Sequence, residues 1–161
     1  MEKILVICGA TASGKTGFAV KMAKRLNSEV ISADCMLVYK GLDIGTAKPD
    51  AAERCGVPHH MIDVVSADSR FSAADYEAMA RPLCDRLLRE GKVPVICGGT
   101  GFYIQSLLFS RSLGNAGSSP DVRKKYELYA AKEGNESLHK LLKDIDPLSA
   151  ERLHPNDAKR V

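Results

Sequence analysis

The stretch Gly9-Ala-Thr-Ala-Ser-Gly-Lys-Thr16 has the glycine, lysine and hydroxyl spacing of a phosphate-binding loop. Its glycines free the backbone to wrap oxygens, so several N–H groups and a helix N-terminus can face an anion. Lys15 would supply a point charge, and the Thr16 hydroxyl is placed for Mg²⁺. The spacing identifies phosphate as the ligand but leaves open which phosphate compound. Two further loops carry chemistry. Asp34 closes the apolar run "EVIS" and could act as a general base, an indirect Mg²⁺ ligand or the cap of an Asx-type turn. Gly98-Gly-Thr-Gly101 follows the run "VPVIC" and forms a second loop of backbone donors, with the Thr100 hydroxyl expected to be exposed. Asp43 and Lys48 form a charged pair around Gly45, where Lys48 could meet a phosphate or simply be solvated. His59 and His60 are adjacent, so on a strand they point to opposite faces, which favours structural roles over a shared metal.

These loops need a scaffold, and the hydrophobic pattern supplies one. "KILVIC", "EVISAD" and "KVPVICGG" read as short buried strands, and "HHMIDVV" as a further one. "KTGFAVKMAKRL" places Phe18, Met22 and Leu26 at helical spacing. A second helix is expected from Ser72 to Gly91, kinked at Pro82, and a third over "GFYIQSLLF". Alternation of strands and helices predicts an α/β fold, a parallel sheet flanked by helices, with ligands beyond the carboxyl ends of the strands. All three glycine- or acid-bearing loops fall at such ends. The segment 33–49 is a long loop too apolar to be a plain linker. From Ser110 a Gly/Ser-rich connector leads into charged helical pieces, so the chain divides into a catalytic core over 1–109 and a helical part over 110–161.

Composition narrows the classes. With 161 residues, 45% hydrophobic and 27% charged, the chain is long enough to bury a core and has ordinary globular make-up. A net charge of +3 permits a nucleic-acid partner only through a local basic patch, such as Arg123, Lys124 and Lys125. No apolar run approaches the roughly 20 residues of a membrane span, and "MEKILVIC" reads as a first strand and not as a signal peptide. Five cysteines without a C-x-x-C pair support neither a disulfide framework nor a zinc site and fit a reducing cytoplasm; Cys8 and Cys97 are expected in the core. No acid ends the "VPVIC" strand where a Walker B acid would stand, which speaks against motor-like ATP hydrolysis.

In order and spacing, "GATASGKT", "ISADCMLVYKGLDIGTAKP", "VPHHMIDV", "VPVICGGTGFYIQSLL" and "HPNDAKRV" resemble the bacterial tRNA dimethylallyltransferases. The resemblance implies a P-loop NTPase-like core with the start of a helical insertion. It implies transfer of a dimethylallyl group from dimethylallyl diphosphate to N6 of the adenine at tRNA position 37, beside the anticodon, with Mg²⁺ and without consumption of ATP, whatever the nucleotide-binding motif indicates. It assigns the diphosphate to Gly9, Thr11, Ala12, Ser13, Gly14, Lys15 and Thr16, with Thr16 toward the metal. Asp34 becomes the general base, and Thr100 stands near the diphosphate and its bridging oxygen. Contacts to tRNA are implied for Asp34, Cys35, Met36, Leu37, Thr100, Arg123, Lys159 and Arg160. The protein is expected to act as a cytoplasmic monomer.

Three departures stand out. Cys35-Met36-Leu37 replaces the family's usual Ser-Met-Gln, and Leu37 lacks the amide that would read a nucleotide. Ala10 replaces a common proline without removing a backbone donor. The family pattern continues for about as long again, so this chain is expected to be an N-terminal half, whose own activity is open. Two other classes compete: a small P-loop kinase of the shikimate or nucleoside type, and a non-catalytic nucleic-acid-binding module. Against the first, no Arg-rich lid follows "GGTG"; the second leaves the phosphate loop unused.

Overall fold

A computed structural model describes residues 3–109 and 119–161. The chain separates into two compact units, Met1–Leu113 and Gly114–Val161. The expected Gly/Ser-rich connector lies mostly outside the described residues, at 110–118.

In the first unit, strands β1 (Leu5–Cys8), β2 (Val30–Ser32), β3 (His59–His60) and β4 (Val95–Gly98) form one sheet in the order β1-β4-β2-β3. Every pairing is parallel, as the alternation with helices predicts. The register sets Cys8 beside Gly98 and Ser32 beside Cys97, which levels the carboxyl ends of three strands. Gly9, Ala33 and Gly99 therefore leave the sheet side by side.

Alternate residues of the central strands feed two cores. Val30 and Val95 pack with Ala19, Val20 and Ala23 of helix α1 (Lys15–Arg25). Ile31 and Ile96, both fully buried, pack on the other face with Tyr76, Cys84 and Leu87 of α3 (Ala73–Arg89) and Tyr103 and Leu107 of α4 (Gly101–Phe109). Burial of each such isoleucine contributes roughly 1.5–3 kcal/mol. The buried stripe of α1 is shifted from the expected one: its small residues approach the sheet, and Phe18 is 54% exposed.

The α3 helix begins where the Ser72 hydroxyl accepts from the Asp75 N–H and the Asp75 carboxylate accepts from the Ser72 N–H. It runs unbroken through Pro82, which lies on its exposed side. Tyr103 is buried and stacks on Tyr76 with ring centroids 4.2 Å apart, whereas its neighbour Phe102 is 73% exposed.

The expectation that Cys8 is a core residue does not hold: it ends the edge strand β1 and is exposed. Cys97 is part-buried and packs against the core beneath α1. A short α2 (Ala51–Arg54), unforeseen in the sequence, starts at Asp50, which forms a reciprocal cap with Glu53.

The second unit contains α5 (Pro120–Glu133), α6 (Asn135–Ile145) and α7 (Pro147–Arg152). Ser119 caps α5, and Asp146 caps α7 through the Ser149 N–H. His139 Nε2 donates to the carbonyls of Ala150 and Leu153 and so ties α6 to α7. Among the described residues no helix is long and apolar enough to cross a membrane.

Candidate functional site

The phosphate loop connects β1 to α1. Gly9, Ala12 and Gly14 all have positive φ (157°, 61° and 77°), which turns the chain back over the N-terminus of α1. Ala12 in the left-handed region costs on the order of 1 kcal/mol, strain that the surrounding loop must hold. Lys15 Nζ donates to the Ala10 carbonyl and lies 3.5 Å from Ser13 Oγ. The ammonium therefore lies over the loop's own backbone.

Asp34 lies two residues beyond the end of β2. Its Oδ1 accepts from the Met36 N–H at 2.9 Å, an Asx turn that fixes the carboxylate at the strand end. This turn and a role toward a ligand are compatible, because Asp34 also lines a cavity with Lys15, Thr16 and Thr11. That cavity measures about 110 Å³, and its walls include Gly98 and Gly99, Leu37, and Thr46 and Ala47 of the long loop. Three loops predicted at strand ends thus enclose one space. Thr100 stands beside it: its Oγ1 accepts from the Cys35 N–H at 2.9 Å, and its N–H donates to the Ala33 carbonyl at 3.0 Å. The Thr100 hydroxyl, expected to be simply exposed, is engaged in tying β4's glycine loop to the turn after β2. Gly9, Ser13 and Gly14 shape the phosphate loop without lining the cavity, and Cys35 and Met36 are exposed outside it.

Lys48 belongs to neither alternative left open by the sequence. Its side chain is 4% exposed, with Nζ 2.6 Å from Asp43 Oδ1, 2.5 Å from Asp63 Oδ1 and 2.8 Å from the Tyr39 carbonyl. Burial pulls its pKa down, but the hydrogen bonds and charges of Asp43 and Asp63 win and lift it above the ordinary lysine value. Lys48 is the clamp of the 39–49 loop, and that loop is a wall of the cavity.

His59 and His60 do point apart. His60 Nε2 meets Glu29 Oε2 at 2.6 Å, in a network with Arg86. His59 lines the cavity, with Nδ1 2.8 Å from the Val57 carbonyl. Burial lowers the His59 pKa, with the nearby charges of Arg54 and His60 adding to the shift. Nothing in the local sequence places His59 or Ser32 at the site; only the alternation of strand residues could have signalled it. Cys97 also lines the cavity, and burial pushes its thiol pKa up.

In the second unit, Arg123, Lys159 and Arg160 line one open cavity of about 960 Å³ between α5, α6 and the final segment. Arg160 Nε donates to Asp157 Oδ2 at 2.5 Å.

Comparison with known proteins shows the family of the chain. The sequence profile described as IPP transferase matches residues 37–161. The chain belongs to the IPP transferase family. Proteins named tRNA dimethylallyltransferase from Acetivibrio thermocellus and Enterococcus faecalis are 48% and 46% identical, each covering the whole of this chain and 51% and 53% of their own lengths. A full-length tRNA isopentenylpyrophosphate transferase from Bacillus halodurans superposes with a TM-score of 0.69 at 44% identity, over 99% of this chain and 53% of that one. A eukaryotic dimethylallyltransferase crystallised acting on tRNA gives a TM-score of 0.85 at 31% identity, over 99% and 40%. The chain spans about half the length of the curated relatives it matches. Its first unit has the P-loop NTPase-like architecture of this IPP transferase family.

Proposed function

We propose that this chain carries the prenyl-donor site of a tRNA dimethylallyltransferase, acting as a cytoplasmic monomer on the anticodon loop of tRNA. The reaction joins a dimethylallyl group from dimethylallyl diphosphate to N6 of the adenine at position 37. One observation carries the reading: Lys15, Thr16 and Asp34 line a single cavity at the carboxyl ends of parallel strands. A phosphate grip and a carboxylate base within one small space suit the transfer of an allylic group from diphosphate to a weakly basic amine. The five free thiols fit a reducing cytoplasm.

Loss of diphosphate from an allylic carbon places negative charge on the leaving group. Lys15 and the backbone N–H groups from Gly9 to Thr16 oppose that charge from fixed positions, which lowers the barrier without reorganisation. Thr100 can still donate its hydroxyl proton while accepting from Cys35, so it can meet the bridging oxygen. The exocyclic amine of adenine is a poor nucleophile, and Asp34 accepts the proton it sheds as the new C–N bond forms. The base must leave its stack to reach this depth. Arg123, Lys159 and Arg160 offer charge to the RNA backbone.

The site fits Mg²⁺. Among the described residues no cluster of three His, Cys, Asp or Glu side chains could cage a metal. A cation here must take most of its ligands from phosphate and water, as Mg²⁺ does, with Thr16 as protein ligand and Asp34 nearby. When bound, it supplies positive charge against the diphosphate.

The deciding experiment incubates the protein with unmodified tRNA and labelled dimethylallyl diphosphate, with Asp34→Ala in parallel. Label should reach tRNA with the wild type and not with the variant. Phosphoryl transfer from ATP would replace this reading with a small kinase, and RNA binding without either reaction would leave a non-catalytic module.

A further inference from the structure

Residues 42–48 form a cross-tied turn on the wall of the cavity. The Thr46 hydroxyl donates to the Leu42 carbonyl and lies 3.2 Å from that of Asp43. The Ala47 N–H donates to the Ile44 carbonyl at 3.2 Å, and the Lys48 N–H to the Asp43 carbonyl at 3.1 Å. The Lys48 ammonium then anchors the turn on Asp63. Thr46 and Ala47 line the cavity beside Lys15, Thr16 and Asp34. Ile44 therefore sits one backbone hydrogen bond from the cavity wall.

Nothing in the described protein covers the Ile44 side chain. The residue is 98% exposed, more than any other large apolar residue described. A single apolar side chain on a surface usually means little. The setting of this one differs. A slack loop would fold a branched aliphatic group against the protein, whereas the bonds of this turn hold it out in water. Whatever covers Ile44 gains the burial of its area with little further loss of backbone freedom.

The occupant follows from the acceptor. In the tRNA reading an adenine leaves its stack to bring N6 to Asp34. Its departure opens a slot between two former neighbours, which present flat apolar faces to the gap. Proteins that part base steps fill them with apolar side chains, isoleucine among them. A phosphate or a ribose would call for a charged or polar tip, and the Ile44 side chain has neither donor nor acceptor.

We infer that Ile44 is a wedge that enters the RNA stack where the acceptor adenine has left it, and so holds the extruded base toward Asp34. The inference rests on the tRNA reading above. Ile44 is a positioning residue: it shifts the base-flip equilibrium and takes no part in proton or prenyl transfer.

The test uses an RNA stem-loop of unmodified anticodon sequence with 2-aminopurine in place of the acceptor adenine. This base brightens when unstacked and lacks the N6 amine, so its fluorescence reports extrusion without turnover. Saturating wild type should raise the signal. Ile44→Ala should lower the ratio of extruded to stacked base about tenfold, and Ile44→Met should keep it within about threefold of wild type. Because residue 44 is exposed, both variants should melt within about 2 °C of wild type and bind pyrophosphate equally well. Equal fluorescence in wild type and Ile44→Ala overturns the inference while leaving the tRNA reading intact. So does unchanged fluorescence with an altered oligomeric state in Ile44→Ala, which would make protein the cover of Ile44. A wild type that leaves the base stacked, or does not bind the stem-loop, sinks the tRNA reading and this inference with it.

Discussion

Gly98 closes on Ala33 so tightly that a Cβ on Gly98 would stand 2.2 Å from the Ala33 carbonyl oxygen. The contact joins the last residue of β4 to the residue before Asp34. Immediately beyond it, Thr100 N–H reaches the same Ala33 carbonyl and Thr100 Oγ1 takes the Cys35 N–H. The acid-bearing turn and the glycine loop are therefore one backbone unit, and no side chain fits between them.

Gly98→Ala should force that unit apart at a cost of about 3 kcal/mol, roughly 10 °C in melting temperature. Gly101→Ala is the control, because a Cβ there meets nothing within 4 Å. It should be neutral or stabilise slightly, since alanine restricts the unfolded chain. Thermal melts of both variants check this; equal stability would mean that the β4–β2 contact is looser than described.

Lys48 predicts a second effect. Replacing it by Met removes the ammonium from Asp43 and Asp63, whose side chains are 63% and 42% exposed and can recover part of their hydration. The loss should be about 2 kcal/mol, below that for a fully buried pair. Because Thr46 and Ala47 wall the cavity, pyrophosphate should also bind more weakly. A double-mutant cycle of Lys48→Met with Asp63→Asn should give a coupling of about 1 kcal/mol or more. Additive losses would remove the clamp from the account.

Glu29 carries the acid sensitivity of the far end of the sheet. A hydrogen bond from Arg86, helped by His60, holds its pKa at about 2 against the burial that opposes it. A carboxylate depressed on folding contributes stability that is full above its unfolded value near 4.5 and is lost as pH falls toward about 2. Urea melts across that window should show wild type losing stability faster than Glu29→Gln. Parallel curves would assign the acid sensitivity elsewhere.

What the sequence made legible was whatever local spacing controls. The glycines and lysine of residues 9–16, the acid after "EVIS" and the glycines after "VPVIC" each sit at a strand end that their own neighbours define. Strand alternation then brought them together. The contacts hidden from the sequence span the chain: Gly98 with Ala33, Lys48 with Asp63, and His59 against the cavity of Thr16. They depend on the strand order β1-β4-β2-β3 and on a loop that folds back to pair Tyr39 with Val65. Neither has a local signature. Cys8 was misjudged for the same reason, since a strand's place at the sheet edge is a property of order and not of composition.

Asp34 provides the sharpest separation of structure from chemistry. Its Oδ1 accepts from the Met36 N–H, a bond that an asparagine carbonyl can also make. Asp34→Asn should therefore melt within a few degrees of wild type and bind pyrophosphate normally. As Asn cannot take a proton, dimethylallyl transfer to tRNA should fall by about 10²–10⁴-fold, the usual span for a lost general base. Asp34→Ala should lose the turn as well, about 1 kcal/mol of stability, with no further loss of rate. Transfer retained in Asp34→Asn but lost in Asp34→Ala would make Asp34 a scaffold of the turn, and the base would have to be sought elsewhere.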